Sequence, residues 1–260
     1  MKILAVGDTV GEPGRSIIAH WVPRLRREEG VEFVVVNAEN AAGGAGVTPS
    51  VARELFLSGA DCLMSGDHIW DKKEILEVID RDERILRPCN YPNGIPGRGA
   101  TLLRSEKGIP VGVINTIGRV FMREQFDCPF TTTKRLAAAL REKTPIVIVD
   151  MHAEATSEKI ALGWYLDGQV SAIFGTHTHV QTADERILPK GTGYLTDVGM
   201  TGSYDSVLGR EVSQVLNRFL TQMPTRFEVA TKNVQLYGAI FDIDEKTGVT
   251  RSIQRIQRKL

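Results

Sequence analysis

Cysteine is scarce in this 260-residue chain. It has only Cys62, Cys89 and Cys128, an odd number at wide spacing with no C-x-x-C. That excludes a disulfide framework or a zinc knuckle and suits a reducing cytoplasm. Long apolar runs are missing too. The opening MKILAVGDTV has one lysine and stops being apolar at Asp8, too short for a secretory leader. No stretch approaches the ~20 apolar residues of a bilayer span, so no membrane partner is expected. Nor is there an excess of either charge: Lys plus Arg and Asp plus Glu each number 32. A neutral chain has no long-range field to collect nucleic acid or an anionic surface, although a local basic patch would leave nucleic acid open.

What is present is ordinary globular composition, 42% hydrophobic and 25% charged. There is no internal repeat, low-complexity tract or linker, which predicts one α/β domain over residues 1–260. The pattern is strand, loop, helix, repeated. KILAV is an apolar strand, GDTVGEPG a turn, and RSIIAHWVPRLRREEG a helix ending at Gly30. EFVVVNAEN is a second strand and AAGGAGV a flexible loop. TPSVARELFLSGA is a helix with Thr48 as N-cap and Pro49 at its first position. DCLMSGDH is a third strand and KKEILEVIDRD a helix. The Gly/Pro-rich middle suggests hairpins or a second sheet. TTTKRLAAALREK and TSEKIALGWYLDG are helices on either side of the strand TPIVIVDMHAE, SAIFGTHTH is the next strand, and a β-hairpin turns at DEKTG. Repeated βα units predict a parallel sheet with helices on its faces.

Each apolar strand ends in a residue able to bind metal: Asp8, Glu39 with Asn40, Asp67 with His68, His152, then His177 and His179. In a parallel α/β sheet such ends share one edge, where ligands bind. Any one of them has a plainer reading, Asp8 as a helix cap or His152 as a structural histidine. The conjunction points to metal. His177 and His179, two apart in an extended chain, would point to the same side. His20, inside the first helix, carries no role. Carboxylates, an amide and imidazoles together suit manganese, iron or zinc better than magnesium or calcium. There are too many donors for one ion, and a carboxylate can bridge two ions ~3.5–4 Å apart. Such a pair acidifies a shared water and neutralises phosphoryl charge.

These segments, GDTVGEPGR, VNAEN, SGDHIWD, VDMHAE and GTHTH, resemble the calcineurin-like metallophosphoesterases. Glu rather than Asp in NAEN, the HIWD that follows SGD, and the run GTHTHVQTADERILPKGT with TDVGMTG are most similar to the YmdB-like branch of 2′,3′-cyclic-nucleotide 2′-phosphodiesterases. The resemblance covers nearly the whole chain. It implies a four-layer α/β/β/α sandwich and a small-molecule phosphodiester substrate, a 2′,3′-cyclic or 3′,5′-cyclic nucleotide in kind. It implies that Asp8, Glu39, Asn40 and His179 hold one ion and that Glu39, Asp67, His152 and His177 hold the other. The ions would be divalent or mixed-valence, with iron or manganese favoured. His68 would be the proton donor to the leaving oxygen. Asp67 departs from the superfamily, which usually has Asn there, and Val10 stands where many members carry a His.

Two other readings compete. Gly7, Gly11 and Gly14 after the first strand, with Glu39 ending the second, would suit a dinucleotide-binding protein, but the spacing is G-x-x-x-G-x-x-G and the histidines stay unexplained. A non-catalytic, metal-dependent regulator is the other. Arg119, Asn115, Phe121, Thr201 and Ser203 are candidate substrate contacts, and a homo-oligomer is left open.

Overall fold

The computed structural model describes residues 1–260. The chain runs β1 (Lys2–Val6), β2 (Asp8–Thr9), α1 (Gly11–Glu29), β3 (Val31–Asn37), α2 (Pro49–Leu57) and β4 (Cys62–Met64), then 3₁₀ turns at Asp67–Trp70 and Lys73–Glu77. It continues through β5 (Ala100–Arg104), β6 (Pro110–Ile117), α3 (Pro129–Arg141), β7 (Val147–His152), α4 (Thr156–Leu166) and β8 (Ala172–Thr176). Last come β9 (Arg186–Ile187), β10 (Gly193–Leu195), β11 (Met200–Ser203), α5 (Val212–Thr221), β12 (Val234–Ile243) and β13 (Thr250–Lys259).

The strands form two sheets, as the Gly/Pro-rich middle and the resemblance suggest, rather than one parallel sheet. The first is ordered β2-β11-β12-β1-β3-β4, with β13 also paired to β12; the second is β5-β6-β7-β8-β10-β9. Each contains a parallel trio, β1-β3-β4 at one side of the first and β6-β7-β8 in the second, where β10 extends it in parallel. In the first, Val35 of β3 lies opposite both Ala5 of β1 and Cys62 of β4. In the second, Met151 of β7 lies opposite both Thr116 of β6 and Gly175 of β8. The terminal hairpin β12–β13 is antiparallel, as the sequence suggests.

Alternate residues of these strands serve different cores. Ile3, Ala5, Phe33 and Val35 pack with Val113, Ile148 and Phe174 in a buried cluster shared by the two sheets. Their neighbours Leu4, Val6, Val34 and Val36 pack on Ile17, Ile18 and Leu25 of α1 and Leu55 of α2. Ile114, Val147, Val149 and Ile173 pack on Leu140 of α3 and Leu162 and Leu166 of α4. Burial on both faces explains why the strands read as continuous apolar runs. Each fully buried Val, Leu or Ile contributes about 1.5–3 kcal/mol.

Helix boundaries follow the caps, with two departures. Thr48 accepts the Val51 N–H at 3.3 Å with Pro49 beside it, and Gly30 closes α1 in the left-handed region at φ 69°. But α1 already begins at Gly11, inside the expected turn. The predicted helix KKEILEVIDRD is a 3₁₀ turn over Lys73–Glu77 followed by further turns. Ile75, Ile79 and Ile85 all insert into the α1–α2 cluster, so the chain must curl tightly, and its Ile75 and Val78 N–H groups bond three residues back. α5 carries Val212, Val215, Leu216, Phe219 and Leu220 at helical spacing, yet only Val215 is buried, and Phe219 and Leu220 are exposed.

Candidate metal centre

The two parallel trios aim their carboxyl ends at one cleft. Asp8 follows β1, Glu39 and Asn40 follow β3, and Asp67 and His68 follow β4; His152 ends β7, and His177 and His179 follow β8. All the candidate ligands named from the sequence thus come together, although from two sheets rather than one.

The geometry centres on His152, which is fully buried. Its Nε2 lies 3.1 Å from Glu39 Oε1, 3.2 Å from Asp67 Oδ1 and 3.0 Å from His177 Nδ1. Donor atoms of Glu39, Asp67, His152 and His177 all fall within 4.8 Å of one another. Asn40 bridges to the remaining histidine, its Nδ2 being 3.4 Å from His179 Nε2 and 3.3 Å from Glu39 Oε1. Asp8 Oδ2 accepts the His177 N–H at 3.0 Å, which ties the first strand to the His177 loop. His68 stands at the rim, half-exposed. Its backbone N–H donates to Glu39 Oε2 at 3.1 Å, and its Nδ1 lies 2.8 Å from Asp71 Oδ2.

His177 and His179 do not lie on an extended strand end. β8 stops at Thr176, and both histidines have positive φ, 95° and 64°. Left-handed backbone at non-glycine residues costs about 1–3 kcal/mol each and persists where the surroundings over-determine it. Here Asp197 does so. It accepts Thr178 N at 3.3 Å, Thr178 Oγ1 at 2.8 Å and Gly199 N at 2.8 Å. Lys159, buried like Asp197, donates to its Oδ2 and to the Thr176 carbonyl, both at 2.7 Å. Gly66 is needed for a different reason: a Cβ there would lie 2.1 Å from His152 Nε2 and 2.5 Å from Glu39 Oε2.

The electrostatics suit a bound cation. Burial pushes the Asp8 carboxyl up to about 7 against the pull of His152. Burial drives the His179 imidazole down to about 4, so it is a neutral donor at physiological pH. Burial acts against Glu39, Asp67 and His152 too, but their mutual attraction wins: both carboxyls end below their usual range and His152 well above its own. The His152 imidazole and these two carboxylates thus favour one another's charged forms. Buried Asp8 Oδ1 and His179 Nδ1 have no hydrogen-bond partner. Carboxylate, amide and imidazole donors, with orphaned atoms among them, are a set that a bound cation would satisfy.

Several supporting residues carry no signal in the sequence. Thr176 Oγ1 lies 2.9 Å from His152 Nδ1 and donates to Asp150 Oδ1 at 2.8 Å, which fixes the ring. Glu154 Oε2 lies 3.3 Å from His177 Nε2. Asp150 and Glu154 each stand two residues from His152 in DMHAE, the one available hint. Arg210 and Leu208 also line the cleft, whose volume is 370 Å³.

The suggested substrate contacts do not line it. Asn115 accepts the Ser65 N–H at 3.0 Å in the interior, Thr201 donates to the Tyr237 carbonyl and Ser203 to that of Lys232. Arg119 and Phe121 sit on an exposed loop whose backbone is held by Glu158. The early glycines serve strand packing. A Cβ at Gly7 would lie 2.0 Å from the Gly199 carbonyl oxygen, and one at Gly14 2.5 Å from that of Thr201. Asp8 does not cap α1; Val10 takes that position with no side-chain bond. No helix is long and apolar enough to cross a membrane.

A family model described as "YmdB-like protein" matches residues 4–256. The 2′,3′-cyclic-nucleotide 2′-phosphodiesterase of Bacillus subtilis (strain 168) is 48% identical over 256 residues, 98% of this chain and 96% of that protein. The solved structure of a hypothetical protein from Thermus thermophilus superposes with a TM-score of 0.93 at 40% identity, covering 100% of this chain and 99% of that one. A structure described as a novel phosphatase from Mycoplasma pneumoniae gives a TM-score of 0.92 at 34% identity, covering 100% and 93%.

Proposed function

The chain belongs to the YmdB-like family, and from that membership and the cleft's geometry we propose that it is a two-metal phosphodiesterase of cyclic nucleotides. The observation that carries the reading is the buried Glu39 carboxylate, held within 4.8 Å of Asp67, His152 and His177 donor atoms at the mouth of two converging parallel trios. The three buried clusters support a four-layer α/β/β/α sandwich, a single unit over residues 1–260.

Asp8, Glu39, Asn40 and His179 would hold one ion and Glu39, Asp67, His152 and His177 the other, with iron or manganese suiting the mixed donors. Bound there, such ions neutralise phosphoryl charge and supply an acidic water at neutral pH. The chain's own groups do the rest. Thr176 and Asp150 hold His152 in one orientation, and Glu154 does so for His177 through Nε2. His68 binds Asp71 through Nδ1, which leaves Nε2 for substrate. Burial lowers its pKa, but Glu39 and Asp71 outweigh burial and raise it, which favours the protonated form, and Nε2 would be the group that gives a proton to the leaving oxygen.

The Bacillus subtilis relative's name specifies the substrate class: a 2′,3′-cyclic nucleotide opened at the 2′ ester, leaving a 3′-phosphomonoester. The test is a panel of 2′,3′-cyclic nucleotides, 3′,5′-cyclic nucleotides and simple monoesters given to metal-loaded protein. Release of 3′-phosphomonoester is expected. No turnover of any ester by metal-loaded protein would point instead to a metal-dependent regulator.

A further inference from the structure

The cleft holds one arginine that the metal centre does not use. The chain between β11 and α5 folds back in a tight turn, with the Val207 and Arg210 backbones bonded to each other at 3.0 Å in both directions. Leu208 and Gly209 both have positive φ, 51° and 85°, the signature of a rigid two-residue turn. A Cβ at Gly209 would lie 2.6 Å from Val10 Cγ1, so the turn is seated two residues from Asp8. Arg210 then extends over the glycine loop after β3. Its Nη2 donates to the Gly44 carbonyl, and a Cβ at Gly44 would lie 2.2 Å from its Nη1 and 2.5 Å from its Cζ. The loop that reads as flexible in sequence is therefore a seat for this side chain.

Arg210 makes that one side-chain hydrogen bond and no ion pair. Burial pushes its pKa down, with no neighbouring carboxylate acting against it. Most of the five N–H donors of its guanidinium are left without a protein acceptor. It is the one arginine or lysine lining a cleft that it shares with Glu39, Asn40, His68, His177 and His179. A half-buried cation, fixed in position but unpaired, beside groups that would neutralise and protonate a phosphoester, matches an anion with two free oxygens. A guanidinium can bind both at once.

We propose that Arg210 anchors the phosphate of the substrate, binding the non-bridging oxygens of the phosphodiester in the ground state and of the phosphomonoester after cleavage. This rests on the phosphodiesterase reading above. Arg210 acts as a binding and specificity residue. Because it grips the phosphate before and after reaction, its loss falls on KM more than on kcat.

The experiment compares wild type, Arg210→Met and Arg210→Lys as full-length, metal-loaded protein. It measures KM and kcat for a 2′,3′-cyclic nucleotide, binding of inorganic phosphate by calorimetry, bound metal and thermal melting. Arg210→Met should weaken both phosphate binding and KM roughly ten- to a hundredfold, the range for a hydrogen bond to a charged group. Metal content should stay unchanged. Arg210→Lys keeps the charge but not the fork and should fall between. Phosphate binding unchanged in either folded variant overturns the proposal, as does a loss confined to metal or melting temperature, which would make Arg210 a pin for the Gly44 loop only. If wild type hydrolyses no phosphodiester, the reading of the activity fails. In that event, weaker phosphate binding in Arg210→Met still supports the anchor, and unchanged binding removes both.

Discussion

Replacing Lys159 with methionine tests how the His177 loop is held. The side chain keeps its length and loses its charge, leaving Asp197 buried without its cation. At the observed 2.7 Å, an effective dielectric of about 20 gives a gross attraction of about 6 kcal/mol. Desolvation of the pair offsets part of that, so removing one partner should cost about 3–5 kcal/mol. The Thr176 carbonyl also loses its donor. Urea unfolding of chelator-treated protein reads the cost without any metal contribution. A cycle with Asp197→Asn should show the double variant less destabilised than the sum of the singles by about 2–3 kcal/mol. The left-handed backbone at His177 and His179 would then relax, and the metal-loaded protein should bind its ions more weakly. A single-variant cost under about 1 kcal/mol, or strict additivity in the cycle, would refute the claim that this pair holds the loop.

Three further outcomes are expected. His68→Ala should keep its metal and lose turnover, by less for esters with an acidic leaving group such as p-nitrophenol; equal losses on good and poor leaving groups would count against its Nε2 as proton donor. Asp67→Asn keeps an oxygen in place but removes the charge now drawn to His152 and His177, so titration with a chelator should strip one ion at lower chelator concentration than from wild type. Asp184 is partly desolvated, which raises its pKa, but hydrogen bonds from Thr182 at 2.6 Å and from the Thr196 N–H at 3.2 Å outweigh this and lower it. A lowered folded-state pKa contributes stability above the unfolded value that is lost as pH falls through the folded one. The acid limb of the stability curve should therefore flatten in Asp184→Asn, as read by urea midpoints in the acid range, below about pH 5.

The site is more legible in the sequence than the architecture around it. Strand ends are marked by an abrupt change from apolar to polar, so Asp8, Glu39, Asp67, His152 and His177 fall at one kind of position whatever the topology. Whether those strands form one sheet or two leaves no trace in periodicity, because strands buried on both faces look alike in either case. The conformation of His177 and His179 departs from expectation because spacing two implies an extended chain, whereas the buried Asp197 imposes a left-handed one. Lys159 looks in sequence like one more polar residue on a helix. Its burial depends on an aspartate 38 positions away, which no local pattern reveals. Arg210 is hidden for the same reason: the turn that carries it matters only through the glycine loop beneath it.

Glu39 would join two ions into one phosphodiester-cleaving centre. Glu39→Ala, purified beside wild type, should be assayed by elemental analysis and by 3′-phosphomonoester release from a 2′,3′-cyclic nucleotide. Wild type should carry about two ions per chain, the number used in a paired-metal centre, and the variant should lose at least one together with nearly all turnover. Full metal content and a normal rate in the variant would contradict the account.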